Sequence, residues 1–118
     1  IAMGIKPERC MVEHPNSDPA YKMDHMKAIA ALGAYLNISY NAINPMFAGR
    51  HPKEGADIVK EVGAKQCTII TDGGQHTSPG PAEGMRVFCN MFMQLGVSRD
   101  EIDLMIKTNP AKILGLDS

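Results

Sequence analysis

Side chains that can bind metal or move protons gather at the ends of three short apolar stretches. The first, Cys10–His14, ends in Glu13 and His14 and is followed by Pro15 and Asn16. The second, Tyr35–Asn41, ends in Tyr40 and Asn41, with Asn44 just beyond. The third, Cys67–Asp72, reads CTIITD and stops at a carboxylate, after which GGQHTSPGP brings Gln75 and His76 close behind. Imidazole and carboxylate ligate zinc-like ions, and both take or give protons in general acid–base chemistry. Taken singly, each has an ordinary use. His14 can cap a loop, and Asp72 can open an Asx turn before Gly73 and Gly74. His25 reads as a surface residue within a helix, and His51, just before Pro52, as a helix cap. Neither GxGxxG nor GxxxxGK[ST] is present, so Gly73 and Gly74 do not indicate a nucleotide site. Chemistry is indicated by the combination: one stretch ends in His14, the next in no charged ligand, and the third in Asp72.

The elements between these ends must be helices. Asp18 and Pro19 have the types of an N-cap and first helical residue, and Met23, Met26, Ile29 and Ala30 follow at helical spacing up to Gly33. Pro52 opens a second helix with Ile58, Val59 and Val62 inward, ended by Gly63. Pro81 opens a third, with Met85, Phe88, Phe92 and Leu95 as one apolar stripe, closed by Gly96. Ser98 and Glu101 form a capping box before Ile102, Met105 and Ile106. Asn109 and Pro110 start a last helical turn that directs Ile113 and Leu114 inward. The joints LGAYLNI and VGAKQCTI look alike. Strands alternating with helices predict an α/β fold of right-handed βαβ units on a parallel sheet, and strands without strict alternation fit a sheet covered on both faces. Two architectures remain: a small open three-layer sheet, or part of a (β/α)8 barrel of about 250 residues. In both, function lies at the carboxyl ends of the strands.

Bulk properties narrow the partners. The chain has 118 residues, a net charge of −1, 44% hydrophobic and 21% charged residues, so it makes one domain of ordinary globular composition. No basic surplus points to nucleic acid, and no apolar run approaches the roughly 20 residues of a membrane span. Cys10, Cys67 and Cys89 are dispersed and odd in number, which predicts buried reduced thiols in a cytoplasmic protein and neither disulfides nor a cysteine zinc site. Nine methionines, mostly at helical spacing, read as core filling.

The motifs MVEHP, IITDGGQ and TNPAKILGL together resemble the C-terminal part of the amidohydrolase superfamily. The nearest likeness is to an amidohydrolase-like group with a TD-x-GQ mouth, a proline-rich loop and a GL/GM-x-x-F helix, present here as TDGGQ, TSPGP and EGMRVF. The resemblance spans essentially the whole chain. It implies a metal-dependent hydrolase on a (β/α)8 TIM barrel, with one or two divalent ions, zinc foremost. Cys10–His14 would be its sixth strand, Tyr35–Asn41 its seventh and Cys67–Asp72 its eighth. His14 then carries over as a metal ligand, and Asp72 as ligand or general base. Glu13, Asn41, Gln75 and His76 stand where they could orient a small-molecule substrate, cleaved at an amide, ester or related C–N or C–O bond.

The ligands that such enzymes carry on their earlier strands have no counterpart in residues 1–118. The expectation is therefore a C-terminal portion of the barrel, completed by a preceding segment or another chain, with a homo-oligomer as a further possibility. Two other readings stay open: a metal-free TIM-barrel lyase or isomerase using Asp72 and His14 as acid and base, and a non-catalytic subunit that completes a partner.

Overall fold

Each helix that feeds a strand or turn ends at a glycine with positive φ: Gly33 at 94°, Gly63 at 99° and Gly96 at 89°. These backbone conformations are strained for residues with a Cβ. They set the chain reversals that make a parallel sheet possible. The computed structural model describes residues 2–116. Strands β1 (Met11–Glu13), β2 (Tyr35–Ser39) and β3 (Cys67–Ile70) alternate with helices α1 (Met23–Ala31), α2 (Pro52–Val62) and α3 (Pro81–Gln94). A helical run follows: α4 (Arg99–Asp103), a π-helical turn over Leu104–Thr108, and α5 (Asn109–Leu114). The sheet is parallel, in the order β1-β2-β3, and open, with β1 and β3 at its edges.

One face of the sheet is apolar and packed. Leu36, Ile38, Cys67 and Ile69 join Met26 of α1, Ile58 and Val59 of α2, and Phe88 and Phe92 of α3 in one buried cluster. Phe88 and Phe92 pack with their rings tilted at 53° and centroids 4.5 Å apart. Gly55 lets α2 lie directly on this layer, since a Cβ there would come within 2.9 Å of Phe92 Cζ and 3.1 Å of Ile38 Cγ2. The other face carries a polar row. Register places Glu13, Asn37 and Thr68 side by side. Thr68 Oγ1 donates to Asn37 Oδ1 at 2.7 Å, and Asn37 Nδ2 donates to Glu13 Oε2 at 2.8 Å. A one-residue slip of either strand pair would break this row and also move the apolar set to the wrong face.

The amino end of the sheet is plugged by Asn109, which is 1% exposed. Its Nδ2 donates to the carbonyls of Ala64 (2.8 Å) and Cys67 (2.7 Å), where the chain enters β3. Pro110 follows inside a helical run, where its ring and missing N–H would ordinarily break the ladder. The π turn meets that demand: the Asn109 N–H bonds to the Leu104 carbonyl, five residues back, and widens the helix just before the proline.

Several local expectations are corrected. Asp18 and Pro19 do not start α1. Asp18 Oδ1 accepts from the Ala20 N–H at 2.8 Å in an Asx turn, and the helix begins at Met23. Side-chain capping of a nearby N–H is common to both motifs, so residue types alone do not separate them. Leu114 is 66% exposed, not inward; with Pro110 and Ile113 it borders an open depression over Met11, Asn37, Thr68 and Ile70, on the sheet face away from the packed cluster. Met3, Met11, Met46 and Met93 are also exposed, so core filling describes only part of the methionine set. Tyr40 and Asn41 belong to a 3-10 turn, Tyr40–Ile43, rather than to β2. The capping box at Ser98 and Glu101 is present, and its Ser98 N–H holds the Glu101 carboxyl below its ordinary range. His51 caps α2, its Nδ1 accepting from the Lys53 N–H at 3.1 Å, and His25 is exposed on α1. Cys10, Cys67 and Cys89 are free thiols. Cys67 is buried, and burial pushes its thiol up to about 12, which leaves it inert as a nucleophile. Cys10 and Cys89 are only half-buried.

Candidate functional site

His14 follows the last residue of β1, and Asp72 lies two residues past β3. Among the described residues they are the two non-glycine residues with positive φ, at 42° and 50°. That conformation is uncommon outside glycine and costs a side chain of order 1–3 kcal/mol. At both strand ends it turns the chain out of the ladder. The two side chains meet: His14 Nε2 lies 3.7 Å from Asp72 Oδ2. They remain accessible, with side-chain exposures of 47% and 38%.

Both line a cavity of about 410 Å³ at the carboxyl end of the sheet, within the size range of small-molecule sites. Ser17, Ser39 and Asn41 add polar lining. Ala42, Phe47 and Ala48 add an apolar side. The floor is held by Asn16, whose side chain acts as a short extra strand beside β2. Its Nδ2 donates to the Ser39 carbonyl at 2.9 Å, and its Oδ1 accepts from the Ser39 N–H at 3.0 Å. Ser39 Oγ then accepts from the Asn41 N–H at 3.1 Å and starts the 3-10 turn. Tyr40 packs edge-on against Phe88, centroids 5.7 Å apart, and ties this turn to the core.

The other expected site residues divide. Asn41 is buried and lines the cavity. Gln75 lies behind it: Ser78 Oγ contacts Gln75 Oε1 at 3.1 Å and Asn41 Oδ1 at 3.4 Å. A hydroxyl has one proton, and the shorter contact takes it. His76 is exposed on the loop after β3 and is not among the cavity's lining residues. Glu13 points onto the sheet's polar face and is engaged by Asn37, away from the His14–Asp72 cavity.

Phe47, Ser17 and Ser39 were not singled out from the sequence. Phe47 had a signal: adjacent Met46 and Phe47 sit between Pro45 and Gly49, in a segment where turn residues prevail.

A divalent ion can be tested against this donor set. Two donors about 2.0–2.1 Å from a tetrahedral ion stand roughly 3.3 Å apart. His14 and Asp72 are within a few tenths of an ångström of that spacing, and they are suitable ligand types. They make up half a tetrahedral shell. Among the described residues no group of three His, Cys, Asp or Glu side chains comes together to hold an ion. No helix among them is long and apolar enough to cross a membrane. No protein-family model matches this chain, and no curated protein matches it.

Proposed function

We propose that this chain is the carboxyl-terminal part of an amidohydrolase-type (β/α)8 barrel, and that its His14–Asp72 pair serves a metal-dependent hydrolase acting on a small molecule. The observation that carries this reading is the 3.7 Å approach of His14 Nε2 to Asp72 Oδ2 across one cavity. That separation is too long for a direct hydrogen bond. It is close to what two ligands of one ion require. Metal analysis of the complete protein separates this reading from a metal-free acid–base pair.

The topology is compatible with the barrel. The order is sequential, β1-β2-β3, as in a barrel and also in either half of a doubly wound sheet. Helices α1, α2 and α3 join the apolar cluster on one face, and Pro110, Ile113 and Leu114 flank Asn37 and Thr68 on the other. In a barrel, that second face would line the interior. Further β/α units, from a preceding segment or another chain, would pair the two open edges and supply the remaining ligands.

His14 and Asp72 would hold the ion, zinc foremost. When bound, such an ion makes water a nucleophile near neutral pH. Asp72, at the rim and partly solvated, would hold and return a proton as the general base. Asn41 and Ser39 stand on the same cavity wall and can hold polar groups of the substrate.

The test is metal content and turnover of a panel of small esters and amides, measured on the complete protein. His14→Ala should lose bound metal, and Asp72→Asn should lower turnover about 10²–10⁴-fold. Full metal content and full turnover in both variants would refute the assignment.

A further inference from the structure

The cavity that His14 and Asp72 line also has apolar lining from Ala42, Phe47 and Ala48, presented by a loop closed with backbone and side-chain hydrogen bonds. Asn44, itself buried, organises this loop. Its Oδ1 accepts from the Met46 N–H at 3.0 Å, and its carbonyl accepts from the N–H groups of Phe47 (2.9 Å) and Gly49 (3.1 Å). The Arg50 N–H closes the loop onto the Ala42 carbonyl at 2.8 Å. Phe47 nevertheless remains 48% exposed. Phe47, with Ala42 and Ala48, gives this cavity apolar surface beside two hydrophilic groups, a lining suited to a ligand that is polar at one end and apolar at the other.

We propose that Phe47 is a specificity-determining residue: with Ala42 and Ala48, it receives an apolar substituent of the substrate, an aliphatic chain or ring, while the polar group reacts at His14 and Asp72. This rests on reading that pair as the reacting centre. Asn44 is a positioning residue, since it acts through the loop that presents Phe47.

Binding of acetate and hexanoate to the full-length, isotope-labelled protein, followed by amide chemical shifts, tests the proposal without requiring turnover. Each methylene fully removed from water favours binding about fourfold. With one side of the cavity open, the four extra methylenes of hexanoate should give about tenfold tighter binding. Shifts should centre on Ala42, Phe47 and Ala48. Phe47→Ser should reduce the preference to within about twofold, and Phe47→Leu should restore most of it. Leu32→Ser, exposed at the end of α1, should keep the full preference. Equal binding of the two acids, binding of neither, or a preference that survives Phe47→Ser would overturn the proposal. A Phe47-dependent preference in a protein without metal or turnover would instead sink the hydrolase reading and leave the apolar subsite standing.

Discussion

The two ends of the same three-stranded sheet are built on opposite principles. At the amino end, Asn109 is almost fully buried and its amide satisfies two backbone carbonyls at 2.7 and 2.8 Å. A π turn absorbs the proline beside it. At the carboxyl end, His14 and Asp72 are half-exposed, held at positive φ, and approach each other without hydrogen bonding. The nearby Thr77 hydroxyl is buried with no hydrogen-bond partner among the described residues. The Asn109 amide is matched at one end, which stabilises the fold. At the other end Asn16, Ser39 and Asn44 are bonded as well, and His14 and Asp72 stand out from them by their exposure and left-handed backbone, the kind of outlier that is enriched at binding sites. An isolated His or Asp carries little information. The contrast between the two ends carries more, because both are made by the same strands.

Two substitutions at the matched end and in the core should have the larger effects on stability. Asn109→Ala would orphan the Ala64 and Cys67 carbonyls and leave a gap beneath β3. Unfolding by urea should show a loss of about 3 kcal/mol. Metal content and turnover per folded molecule should not change. If Asn109→Ala instead removed metal with little loss of stability, the division between the ends would be wrong. Gly55→Ala comes next. Alanine is the better helix former by about 1 kcal/mol, but its Cβ would press on Phe92 and Ile38. Overpacking of this kind costs about 1–3 kcal/mol, so the net effect should be a loss of about 1 kcal/mol, read as a lower thermal midpoint. A more stable variant would mean that α2 can slide away from the sheet.

Much of the scaffold was legible in the sequence. Gly33, Gly63 and Gly96 marked helix ends because few other residues adopt their conformation, and Pro52 and Pro81 marked helix starts for the complementary reason. The pairing of His14 with Asp72 followed from parallel strands, which put all carboxyl ends on one rim. Other features were hidden by ambiguity of type. Asp18 makes the same kind of side-chain bond in an Asx turn as at a helix start. Glu13 was expected at the rim because it precedes His14, yet the two-residue period of a strand sends it to the face opposite Val12, beside Asn37. Period-2 counting would have placed it correctly. The left-handed backbone at His14 and Asp72 has only a weak sequence marker, since His and Asp are enriched there among non-glycine residues but mostly lie elsewhere. Asn109 looked like a helix start, and only the packed structure reveals its two long-range bonds.

The smallest expected effect probes the comparison most directly. If the positive φ of His14 is strain kept for function, His14→Gly should relieve it. A side chain in the left-handed region costs roughly 1–2 kcal/mol, and glycine gives back about 0.5–1 kcal/mol through the added freedom of the unfolded chain. The balance is a gain of about 0.5 kcal/mol in urea unfolding, accompanied by loss of bound metal. Asp72→Gly should gain less, since aspartate tolerates this region better than most residues. At the other end no such gain is available, because Asn109 is buried and its Nδ2 donates to two backbone carbonyls. A His14→Gly variant that lost more than about 1 kcal/mol would show that the imidazole is a structural contact, as the Asn109 amide is. The carboxyl end would then be a second plug, and the reading of the two ends as opposites would fall.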